Sequence, residues 1–99
     1  MVVIELFATL RDRYGKRVEV EGRTIEEVVR KACETFGDEF YNEVFDENGR
    51  IRDDRIVLVN GRNLKDLKDM PELNEDDRIS IFPPIAGGQY FILSMSSPE

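Results

Sequence analysis

The chain has 99 residues, a length that builds one compact domain. Hydrophobic residues make up 40% of it, and the formal net charge is −7. That acidity argues against a nucleic-acid backbone as partner, because counterion release needs clustered Lys and Arg, and it favours docking to a basic protein surface. Histidine is absent, which excludes Ser-His and Cys-His catalysis and every His-containing metal site. Cys33 is the single cysteine, so no intramolecular disulfide forms and a reducing compartment is expected. No apolar run approaches the roughly 20 residues of a membrane helix. The start, Met1-Val2-Val3-Ile4-Glu5, lacks a basic n-region, so a cytoplasmic location is expected. The 35% charged fraction suits a heat-adapted source.

In chain order, Val2–Phe7 reads as a strand rich in β-branched residues. With Ile4 and Leu6 inward, Val3, Glu5 and Phe7 share the other face, which leaves Phe7 partly exposed. Residues 8–13 read as a polar, basic connection, and Gly15 supplies a turn. Arg17-Val18-Glu19-Val20-Glu21 alternates and forms a hairpin with the first strand. Thr24 with Glu27 three residues on is a capping box that opens a helix. Ile25, Val28, Val29, Ala32, Cys33 and Phe36 follow as one apolar stripe, and Gly37 ends it. Cys33 on that stripe reads as a buried structural thiol.

Phe40, Tyr41, Val44 and Phe45 repeat the helical spacing over a turn or two. Asp46-Glu47-Asn48-Gly49 is a turn; Arg50 stands where a calcium loop requires a ligand, so it is not read as one. Arg55–Val59 is a continuous apolar run ending in Asn60-Gly61, a strong hairpin signal, and reads as a central strand buried on both faces. Arg62-Asn63-Leu64 is a short returning strand. Asn74–Asp77 is an acidic turn, solvated or available to a basic partner surface. Arg78–Phe82 is the last strand, with Ile79 and Ile81 inward and Phe82 on the polar face. The carboxylates show no pairing that would mark an acid/base site.

The expected fold class is α+β, a mixed sheet of four to five strands with one main helix packed across one face. The other face is left for water or a partner. After Phe82 the chain reads Pro83-Pro84-Ile85-Ala86-Gly87-Gly88. The prolines fix φ and favour extended geometry, giving an arm with a reach of roughly 18 Å at polyproline spacing. Gly87 and Gly88 pass where a Cβ would clash. Gly88 is not terminal, because residues 89–99 follow it.

The order of elements, Phe7, Val59-Asn60-Gly61 and the Phe82–Gly88 arm together resemble the small subunit of molybdopterin synthase, within the ubiquitin-like β-grasp sulfur carriers. Archaeal small modifier proteins share the pattern. The resemblance spans residues 2–88 and implies a domain at 1–88, with 89–99 an extension removed by processing. It implies a non-catalytic carrier with no bound cofactor or metal. Its terminal glycine is adenylated by an E1-like enzyme that uses ATP, then thiocarboxylated or joined to a lysine of a target protein. On that pattern Gly88 bears the sulfur or the conjugate and Gly87 lines the channel. Phe7, Phe82, Pro83 and Pro84 contact partners, among them the large synthase subunit. A processing protease would expose Gly88. A β-grasp adaptor whose Gly-Gly is never exposed is the alternative from a different class. Tyr90-Phe91-Ile92-Leu93 is apolar enough to fold back as an extra strand on a sheet edge and mask the docking face until processing.

Overall fold

The computed structural model describes residues 1–83. Five strands, β1 (Val2–Leu6), β2 (Arg17–Val20), β3 (Ile56–Val59), β4 (Arg62–Asn63) and β5 (Arg78–Phe82), form one sheet in the order β2-β1-β5-β3-β4. β1 and β5 run parallel at its centre, with Ile4 beside Ile79 and Leu6 beside Ile81. The other pairings are antiparallel. This is the mixed sheet expected.

The main helix, α2 (Ile25–Phe36), begins where the capping residues place it. The Thr24 hydroxyl accepts from the Glu27 N–H at 3.0 Å. The Glu27 carboxylate reaches back one residue further than a reciprocal box requires and accepts from the Arg23 N–H at 2.8 Å. Gly22 just before it is required by space, since a Cβ there would stand 2.6 Å from a Val28 methyl. Ile25, Val28, Val29 and Ala32 are buried, joining Val2, Ile4, Leu6, Val57, Val59, Ile79 and Ile81 in one core. A short helix, α3 (Phe40–Val44), adds Phe40 and Val44 to it.

Three expectations need correction. Residues 8–13 are not a loop: α1 (Ala8–Tyr14) stands between β1 and β2, with Leu10 alone on its buried side. Arg11 and Arg13 in its last turn complement the helix C-terminus, so a polar, basic run reads as a connection while folding as a helix. β3 is not buried on both faces, because Val57 and Val59 are buried while Ile56 and Leu58 are half-buried on the far side. Cys33 is half-buried rather than buried.

The turns behave as read. Asn60 and Gly61 have φ of 52° and 87°, the two left-handed residues of a tight hairpin between β3 and β4. The Asn60 side chain ties that turn to the acidic one, donating to Asp77 at 2.9 Å and accepting from the Arg78 N–H at 2.9 Å. Asp77 also accepts from the Asn74 N–H at 2.8 Å, so this carboxylate is spent on local structure. In the turn 46–49, the Asp46 carboxylate accepts from the N–H groups of Asn48 and Arg50. Its pKa is lowered chiefly by the Arg50 bond.

Candidate functional site: the open face and the root of the arm

Because side chains alternate along a strand, the residues between the buried ones point away from α2. On β1 these are Val3 and Glu5; on β5 Arg78, Ser80 and Phe82; on β3 Ile56 and Leu58. Phe7 continues the series. Its backbone stays extended, with φ −131° and ψ 156°, and its N–H donates to the Ile81 carbonyl at 3.2 Å. The β1–β5 ladder thus extends one residue beyond β1.

That extension brings Phe7 against Phe82. The rings stack with centroids 4.4 Å apart and planes 10° apart. Ile56 is the register partner of Phe82, and Leu58 that of Ser80. The open face therefore has an apolar end, where β5 finishes, and a charged end. At the charged end Arg78 contacts Glu5 at 3.3 Å, and Arg17 contacts Glu19 at 2.6 Å. Pro83, the first residue of the arm, is buried.

The structure brings three of the six expected site residues together: Phe7, Phe82 and Pro83. Pro84, Gly87 and Gly88 lie outside the described residues, as do the extension 89–99 and its expected strand. Ile56 and Leu58 were missed as members of this face, because an unbroken apolar run hides the alternation that assigns them to it.

Beneath the same end of the sheet is a polar network that sequence reasoning also missed. Arg55, only 7% exposed, donates to Glu43 at 2.6 Å. Glu43 also accepts from the Tyr14 hydroxyl at 2.7 Å and from Arg13 at 3.2 Å. Asp54 lies 3.2 Å from the Arg55 guanidinium, whose Nε is buried without an acceptor among the described residues. Burial pushes the Glu43 carboxyl up, but the bonds from Tyr14 and Arg55 and the arginine charges outweigh it and hold the pKa below the usual carboxylate range. Tyr14 moves the other way: burial first, then its bond to Glu43, raises it to about 12. The network links α1, α3 and the start of β3.

The described open face presents aromatic and aliphatic surface at one end and ion pairs at the other. The Cys33 thiol is on α2, and burial raises its pKa, which keeps it protonated near neutrality. Among the described residues no group of three His, Cys, Asp or Glu could hold a metal ion. No described helix is long and apolar enough to cross a membrane.

Comparison with known proteins agrees with this geometry. Residues 4–88 match the model of the ThiS family. No curated protein sequence matches the chain. Among solved structures, SAMP1 from Haloferax volcanii is similar at 27% identity and a TM-score of 0.65, over 88% of this chain and 98% of that one. A putative molybdopterin converting factor subunit 1 from Pyrococcus furiosus is 27% identical, with a TM-score of 0.57, over 85% and 97%. CysO from Mycobacterium tuberculosis, at 17% identity, shows the fold alone, with a TM-score of 0.73 over 86% and 100%. With its five-stranded β-grasp sheet and a family match that runs through the arm to Gly88, this chain belongs to the ThiS family of ubiquitin-like sulfur carriers and modifiers.

Proposed function

We propose that this protein is a cytoplasmic sulfur carrier whose working terminus is Gly88, exposed by removal of residues 89–99. A carboxylate is a poor electrophile. An E1-like enzyme therefore joins the Gly88 carboxylate to AMP from ATP, releasing pyrophosphate, and a sulfur nucleophile then displaces AMP to leave a thiocarboxylate. That sulfur is delivered to a pterin precursor held by the large subunit of molybdopterin synthase. The chain supplies the arm and the docking face, and its partners supply the catalysts. The observation that carries this reading is the Phe7–Phe82 stack, placed on the open face one residue before the arm begins. A partner that grips the stack holds the root of the arm and receives its tip.

The test is the intact mass of the protein isolated from its own cells. A species ending at Gly88 with sulfur in place of one oxygen is the expected result. Finding only the chain to Glu99, across growth conditions, would sink the carrier reading and favour a non-conjugating adaptor.

A second reading has a specific observation behind it, the 27% identity to a structure whose name is small archaeal modifier protein 1. On this reading Gly88 forms an isopeptide bond with a lysine of a target protein. Conjugates that survive denaturation would favour it, and loss of molybdoenzyme activity on deletion of the gene would favour the carrier.

A further inference from the structure

The sheet ends differently at its two edges. β4 closes one with two residues, too few to template a strand, whereas β2 closes the other with four. The register of β2 on β1 fixes which of its backbone groups face outward. Lys16 accepts from the Leu6 N–H at 2.9 Å, and the pairs Ile4–Val18 and Val2–Val20 follow at the same spacing. In an antiparallel ladder such alternate pairs carry the hydrogen bonds. The N–H and C=O groups of Arg17 and Glu19 therefore point away from β1, on the side where no described strand lies.

An open edge invites another strand, and exposed charges commonly discourage it. On β2 the charges select a partner instead. Arg17 and Glu19 are both exposed, share the open face and carry opposite signs. Two copies of β2 paired antiparallel are related by a two-fold axis perpendicular to the sheet, so residues set opposite each other lie on one face. An axis through Arg17 sets Arg17 against itself, and an axis through Glu19 sets Glu19 against itself. Like charges directly opposite are destabilising. An axis through Val18 sets Arg17 of each copy against Glu19 of the other. Both of these residues present outward backbone groups, so each such pair exchanges two N–H to C=O bonds. The two Val18 side chains, half-buried on the helix side, then meet in the closer, non-hydrogen-bonded pair.

We infer that β2 is a self-recognition edge, on which a second copy of this chain pairs antiparallel about Val18 with Arg17 and Glu19 exchanged across the two-fold axis. The pairing joins two sheets with both open faces on one side. β5 runs antiparallel to β2, so the two Pro83 residues lie at opposite ends of the joined sheet. Neither Phe7–Phe82 stack is covered. The strand is four residues long and each chain carries a net charge of −7, so the homodimer is a weak, transient one.

The experiment follows the full chain by sedimentation equilibrium and amide NMR from about 20 μM to about 2 mM, a range that brackets weak association. The apparent mass should rise towards that of two chains, and the Arg17 and Glu19 amide protons should move downfield with it. The Val18 and Val20 amides, already bonded to β1, should move less. Arg17→Glu and Glu19→Arg should each weaken association roughly ten-fold, and combining them should restore it to within about three-fold of the wild type. Unchanged Ile79 and Ile81 resonances show that these variants are folded. A chain that stays monomeric at the top concentration would overturn the inference. So would association that moves other amides, or a double exchange that restores nothing. Arg17 and Glu19 amides that are hydrogen-bonded at every concentration would place the edge under the chain's own residues and overturn it equally.

Discussion

The two faces of the sheet are built from the same strands and do opposite work. On the side facing α2, Ile4, Leu6, Ile79 and Ile81 are 1% exposed or less. One residue along, Glu5, Ser80 and Phe82 are half-buried on the other side, with a stacked aromatic pair at one end and ion pairs at the other. The first face is fully buried by folding, while the second leaves Ile56, Leu58 and Phe82 half-buried. The comparison teaches that strand parity separates the packed core from the open face in this molecule, so neighbours in sequence should respond to substitution in unlike ways.

The sharpest break comes at residues 81 and 82. Ile81→Ala opens a cavity in a fully buried site and should cost about 4 kcal/mol of folding stability, read as a fall in the urea midpoint. Phe82→Ala should cost folding only about 1 kcal/mol, since its ring is half-buried and loses chiefly the stack on Phe7. On the proposed function, it should weaken binding of the processed chain to the activating enzyme roughly 30-fold, the scale of an aromatic hot spot. Equal stability losses at the two positions would remove the distinction between the faces.

Much of that division is legible in the sequence. The alternation in 78–82 assigns Ile79 and Ile81 inward and Phe82 outward, and the helix stripe from Ile25 to Phe36 identifies what covers the inner face. What resists reading is anything that depends on long-range placement. Arg55 looks like the charged lead-in to a strand, and Glu43 like a solvated helix residue. Only the fold brings Tyr14, Glu43 and Arg55 together from three elements. The α1 helix escaped because a single buried residue, Leu10, gives no stripe to detect. Ile56 and Leu58 escaped because apolar side chains on both faces of β3 erase the period of two.

The network beneath the apolar end sharpens the comparison next. Glu43→Gln leaves the buried Arg55 without its closest counter-charge and should cost about 3 kcal/mol near neutral pH. Glu43 has a folded pKa below its ordinary 4.5, so its contribution is fully present above that value and is lost as pH falls through the lower folded one. The stability gap between the wild type and Glu43→Gln should therefore close in acid. A gap that stays constant down to pH 2 would mean that the ion pair is not its source. Smaller again is Tyr14→Phe, at about 1.5 kcal/mol for a hydrogen bond to a charged acceptor. Tyr14 titrates near 12 in the fold against 10 unfolded, so its contribution is complete below pH 10 and is lost as pH rises from there towards 12. Denaturation midpoints between pH 9 and 12 should fall more steeply for the wild type than for the variant.

The smallest effect belongs to the residue where the chain leaves the sheet. Ala8 has φ of 56°, in the left-handed region, directly after an extended Phe7. This turn lets Phe7 keep its bond to the Ile81 carbonyl while α1 departs at once to reach Glu43 through Arg13 and Tyr14. A Cβ in that conformation costs about 1 kcal/mol, which Ala8→Gly would remove. Glycine also adds unfolded-state entropy, and that offsets about half of the gain. The expected outcome is a rise in the urea midpoint worth about 0.5 kcal/mol, at an unchanged m-value. The ring-current shifts of Phe7 and Phe82 should stay in place. If Ala8→Gly instead destabilises by more than 1 kcal/mol, the Ala8 methyl contributes packing that outweighs its strain. The junction between the two faces would then be held by contact rather than by backbone geometry alone.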